Sequence, residues 1–87
     1  MDNMYEQKQM PHNNEAEQSV LGAIILDPQL INSTQEVLLP ESFYRGAHQH
    51  IFRAMMNLNE DGDEIDVVTL MDQLTKEGTL SEAGGPQ

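Results

Sequence analysis

His48 and His50 are the side chains of this 87-residue sequence best suited to ligating a metal or moving a proton. Ligands that share one helical face stand three or four residues apart, whereas a spacing of two splays them by about 200°. The pair therefore predicts a packed boundary histidine at 48 and a solvated one at 50, with no metal and no catalytic base. The run Asn57-x-Asn59-x-Asp61-Gly62 starts like a calcium loop, with oxygen ligands on alternate residues and glycine sixth. Position twelve of such a loop supplies a bidentate Glu, but Val68 stands there, and the first ligand is a neutral Asn, so the segment reads as a solvated acidic turn. Asp61, Asp63, Glu64 and Asp66 add carboxylates without the desolvated pocket that acid–base work requires. No GxxxxGK[ST] loop occurs, since the lysines are Lys8 and Lys76 and neither follows a glycine that opens a helix. The expected catalytic, cofactor-binding and metal-binding residues are none.

Tyr44 and Arg45 are of the types enriched at interface hot spots and form the candidate partner contact. Phe52, Met55 and Met71 could line an adaptable groove, but their helical spacing places them in a core.

The elements that position these residues follow from apolar periodicity. Residues 1–13 are polar and aperiodic, with Pro11 breaking any helix, and read as a flexible arm. Asn14 and Glu17 have capping-box spacing, and Ala16, Val20, Leu21, Ile24 and Ile25 continue at helical spacing. This first helix, apolar on most sides, is expected to be central. Asp27-Pro28 predicts an N-cap with proline at the first position of a second helix, whose inward face is Leu30, Ile31, Thr34, Val37 and Leu38. Leu39-Pro40 ends it, and a short helical turn runs through Phe43 and Tyr44. From Ala47 to Leu58 a third helix turns Ala47, His48, Ile51, Phe52, Ala54, Met55 and Leu58 inward and Gln49, His50, Arg53 and Asn57 away. Asp66 caps a fourth helix carrying Val67, Val68, Leu70, Met71 and Leu74 inward, with Gly78 as its C′ residue. The tail Thr79–Gln87 offers no packed element, and the chain reads as stopping mid-architecture. The expected fold is all-α: a small head of about four helices in an orthogonally packed bundle, with residues 14–87 forming part of a domain. Its core is drawn from Val20, Leu21, Ile24, Leu30, Ile31, Leu38, Phe43, Ile51, Phe52, Met55, Val67, Leu70, Met71 and Leu74.

Composition narrows the function further. Fifteen acidic against four basic residues give a formal net charge of −11, which disfavours contact with nucleic-acid phosphates and favours protein partners. The absence of cysteine excludes a disulfide scaffold and fits a reducing cytoplasm. The longest apolar stretch, Val20 to Leu26, is far short of the roughly 20 residues of a membrane span.

Four blocks in order carry a family resemblance. They are Pro11-His12-Asn13-Asn14-Glu15-Ala16-Glu17-Gln18-Ser19-Val20-Leu21-Gly22, then Phe43-Tyr44-Arg45-x-x-His48-x-x-Ile51-Phe52, then Ile65-Asp66-x-Val68-Thr69-Leu70, then Gly84-Gly85. The sequence resembles the start of bacterial replicative DNA helicases of the DnaB type. The resemblance implies a hexameric, ATP-driven parent that unwinds DNA at the replication fork, whose all-helical amino-terminal domain forms a collar, meets neighbouring subunits and recruits primase. It places ATP and magnesium in a motor domain beyond residue 87 and none on this stretch. The competing reading from charge alone is a free-standing acidic helical adaptor or DNA mimic.

Overall fold

The computed structural model describes residues 13–84; residues 1–12 of the arm expected over 1–13, and residues 85–87 of the tail, lie outside them. The described residues form four α-helices, α1 (Asn14–Leu26), α2 (Leu30–Val37), α3 (Gly46–Glu60) and α4 (Val67–Glu77), with a 3₁₀ turn at Pro40–Ser42 and no strand.

Each boundary has a local cause. The Asn13 side chain accepts from the Ala16 N–H at 3.0 Å and caps α1 one residue earlier than the Asn14–Glu17 spacing predicts. Glu17 is thereby released from the cap and turned inward. Helix α1 stops because Asp27 precedes a proline, which bars the helical region to it. Pro28 does not open α2. It sits in a tight turn, with Leu30 N–H on the Asp27 carbonyl at 2.9 Å and Ile31 N–H on the Pro28 carbonyl at 3.1 Å, and α2 begins at Leu30 without a side-chain cap. At the start of α4, Thr69 N–H donates to Asp66 at 2.8 Å and Asp66 N–H donates to the Thr69 hydroxyl at 2.9 Å. Gly78 ends that helix at φ +77°, a conformation that favours glycine because it has no Cβ.

Helix α3 is the hub, packing against α1, α2, α4 and the 3₁₀ turn. It is buried on both sides, with Phe52 and Met55 on one arc and Ala54 on the opposite one, all fully enclosed. The core joins them to Leu21, Ile24, Ile31, Phe43, Leu58, Ile65, Leu70 and Leu74. Phe43 and Phe52 meet with ring centroids 5.1 Å apart. Val20, Leu38 and Ile51 are partly buried against this cluster, as are Leu80 and Ala83.

Several expectations are corrected by this packing. The central helix is α3, not α1, whose Leu26 is 88% exposed. On α2 the inward stripe is centred on Ile31 and Leu38. Leu30 and Val37 lie about 100° and 120° from Ile31 at 100° per residue, and both are exposed. On α4, Leu70 and Leu74 define the buried line, with Val68 about 160° and Met71 about 100° away. Val67 is exposed because side chains tilt toward the helix N-terminus, so a first-turn residue overhangs the start of the helix. Gln49 and Asn57 do not face away: Gln49 donates to the Phe43 carbonyl and Asn57 to Glu77, both at 2.8 Å. Thr79–Gly84 contains a packed turn, closed by Ala83 N–H on the Thr79 carbonyl at 3.0 Å.

Phe52→Ala should cost about 3–5 kcal/mol, while Val68→Ser should stay within about 0.5 kcal/mol. Urea unfolding of the two variants checks the helical phase, and a larger loss at Val68 would contradict it.

Candidate functional site

The feature that stands apart from an ordinary apolar core is a buried acid. Glu17 lies on the α1 stripe with Leu21 and Ile24, and His48 lies on the α3 stripe with Phe52 and Met55. Each follows the same i, i+4, i+7 spacing, so one polar residue from each helix enters the interior at the same level. Glu17 is fully enclosed and His48 is 6% exposed. Glu17 Oε1 is 2.6 Å from His48 Nδ1. The Tyr44 N–H donates to Glu17 Oε2 at 2.7 Å, and the Arg45 N–H donates more weakly to Oε1 at 3.4 Å. One carboxylate thus binds the backbone just before α3 and a side chain in its first turn, where unpaired N–H groups leave partial positive charge.

Burial by itself raises the Glu17 pKa, because it disfavours the charged form. The hydrogen bond from His48, those from Tyr44 and Arg45, and the attraction of the His48 charge together outweigh it and hold the carboxyl below its ordinary value of 4.5. A carboxylate against an imidazole is also half of a nucleophile-activating arrangement. The cavity that the His48 ring borders is lined by Asn14, Gln18, Leu21, Arg45, Ala47, Ile51 and Ala83, none of which carries a hydroxyl or thiol. The arrangement positions the backbone that leads into α3.

Tyr44 and Arg45 stand at an exposed corner, with their N–H groups drawn inward to Glu17 and Tyr44 61% exposed. His48 is packed, while His50 on the opposite side of α3 is half-buried. In the calcium-like run, Asn57 and Asn59 belong to α3, where Asn59 donates to Asn32 at 3.1 Å and Asn57 to Glu77. Among the described residues no group of three or more His, Asp or Glu could hold a metal ion. Sequence reasoning missed Glu17. The signal was its place on the Leu21–Ile24 stripe, masked by its spacing from Asn14.

Residues 9–87 match the family model of the DnaB-like helicase N terminal domain. The chain belongs to that family. It is 42% identical over 85 residues to the replicative DNA helicase DnaB of Geobacillus stearothermophilus, covering 98% of this chain and 19% of that one. It is 47% identical over 75 residues to the replicative DNA helicase DnaC of Bacillus subtilis, covering 86% of this chain and 16% of that one. The chain therefore spans about a fifth or less of the length of these relatives. The crystal structure of the N-terminal domain of DnaB helicase from Mycobacterium tuberculosis matches with a TM-score of 0.80 and 40% identity, over 88% of this chain and 54% of that one. The all-helical fold is that of the DnaB N-terminal domain. Two of the blocks that carry the resemblance meet at the buried acid, which takes Glu17 from the first and Tyr44, Arg45 and His48 from the second.

Because Glu17 ionises at lower pH in the folded chain than in the unfolded one, its contribution is fully present above its ordinary value and is lost as pH falls through the lower folded value. Glu17→Gln should destabilise the domain by about 2 kcal/mol or more at pH 7, and less at pH 3. Urea titrations at both pH values check this, and the same loss at each would show that Glu17 is not the titrating group.

Proposed function

We propose that this chain is the head of the amino-terminal collar of a hexameric, ATP-dependent replicative DNA helicase, acting in the cytoplasm. In this reading the parent unwinds DNA at the replication fork, and the head contributes protein contacts to neighbouring subunits and to primase. ATP and magnesium belong to the parent's motor domain. The observation that carries the reading is the family match over residues 9–87, joined to relatives that are replicative helicases. Charge supports it: a chain with a net charge of −11 is suited to protein contact rather than to phosphate backbones. The site is in keeping with it, because Glu17 and His48 hold the Tyr44–Arg45 corner in place. Among the described residues, no helix is long and apolar enough to cross a membrane.

The test compares a full-length parent helicase with a version lacking the segment that corresponds to residues 1–87. ATP hydrolysis should remain measurable in the shortened protein, while stimulation by primase should disappear and hexamers should weaken in sedimentation. Unchanged primase stimulation and assembly would overturn the reading. The 87-residue chain alone should show no ATP turnover above a no-protein control, since its sequence has no phosphate-cradling loop.

A further inference from the structure

We propose that the cavity between the α1–α2 turn and the loop before α4 is a docking site for a basic segment of a partner protein, with its apolar side chains on Leu30 and Val67 and its cationic ones among Asp63, Glu64 and Asp66. The cavity measures about 490 Å³, and Pro28 and Gln29 border it from the turn while Asp63, Glu64, Ile65 and Asp66 border it from the loop. Two segments far apart in sequence thus share one opening.

The first observation is apolar. Leu30 and Val67 are exposed, and each opens a helix directly after a segment that borders the cavity, Leu30 after Pro28-Gln29 and Val67 after Ile65-Asp66. Because a helical Cα–Cβ bond tilts toward the helix N-terminus, both side chains lean back toward those segments. The second observation is charge. The Asp63 and Glu64 side chains form no ion pair or hydrogen bond with any described residue, and Asp66 holds Thr69 N–H on Oδ1 alone. Lys76, the next cation along the chain, is paired with Asp72 at 3.6 Å. The helix starts do not offset these carboxylates: the N–H groups of Leu30, Ile31 and Asn32 are taken by carbonyls of the turn, and Thr69 N–H by Asp66.

Charge and apolar surface together select the occupant. The stem of a Lys or Arg suits Pro28 and Ile65, the apolar residues of the cavity, and its charged head reaches the carboxylates. Exposed ion pairs alone are weak, so the occupant also needs apolar neighbours that cover Leu30 and Val67. A free polyamine has none. Three carboxylates call for more than one cation, whereas Lys8, Arg45, Arg53 and Lys76 stand singly in this sequence, so a second copy offers one at a time. The net charge of −11 steers a basic partner toward the chain. This docking stands on the geometry of the cavity whether or not the parent is a helicase.

The test is a nuclear magnetic resonance titration of the isotopically labelled chain with the N-acetylated, C-amidated peptide Leu-Ser-Arg-Ser-Arg-Ser-Leu, whose Leu and Arg side chains share one face when extended. The backbone amides of Gln29, Leu30, Glu64 and Val67 should shift saturably, and a peptide with Gln in place of Arg should leave them unmoved. Asp63→Asn combined with Glu64→Gln should weaken binding about fivefold or more, and Leu30→Ser combined with Val67→Ser by a similar factor. Glu36→Gln combined with Glu41→Gln removes the same charge from exposed positions elsewhere and should stay within about twofold. All six substitutions lie at exposed residues and spare the Asp66 cap, and the same spectra check that each variant is folded. Absent shifts, an equal response to the Gln peptide, or equal weakening by the Glu36 and Glu41 pair would overturn the proposal. Equal binding of spermidine, or of a peptide with Ser in place of Leu, would overturn it by showing a general cation site. Shifts of the same amides with protein concentration alone would reassign the face to a second copy.

Discussion

A carboxylate without access to water has to be answered by donors, because an unpaired buried charge is far more costly than a domain of this size can carry. Glu17 imposes that demand here. It is met from residues 27 to 31 positions away in sequence: the Tyr44 and Arg45 N–H groups and the His48 ring. Meeting it fixes much else. Tyr44 and Arg45 must approach α1 with their backbone, so α3 starts at Gly46, and His48 must sit in its first turn to reach the same oxygen. Phe43 is carried into the core beside Phe52, and its carbonyl is taken by Gln49.

The same constraint links fold to surface. Backbone drawn inward at 44 and 45 leaves the two residues exposed at a fixed corner. An exposed arginine on an untethered loop would lose rotamer and backbone freedom on binding, whereas one on an anchored backbone loses less. The family likeness has a physical content in this light. The segment around Glu17 and the segment around Tyr44–His48 are recognisable separately in sequence, and they are the two halves of one hydrogen-bonded unit. The third block, around Asp66 and Thr69, is the reciprocal cap that starts α4.

Acidity is distributed in keeping with this arrangement. Glu60, Asp61, Asp63 and Glu64 lie exposed where α3 gives way to the loop before α4, where water screens them. Among the described residues Glu17 is the carboxylate that the core encloses, and its environment holds it ionised to lower pH than usual.

The sequence by itself determined the all-helical class, the third and fourth helices nearly to their ends, the cap at Asp66 and the left-handed stop at Gly78. Each of these depends on chemistry within a few residues: apolar period, a carboxylate three positions before an N–H, or the missing Cβ of glycine. The tertiary structure decided which helix is the hub, which of two adjacent apolar residues faces in, and what Glu17 does. Leu30 and Ile31 differ by one step of about 100°, and only the position of α3 decides that Ile31 is enclosed and Leu30 is not. Glu17 fits a capping box and an inward stripe equally well by spacing. The choice went to the stripe because Asn13 supplied the cap, and because Tyr44, Arg45 and His48 supplied donors that no local window of sequence contains.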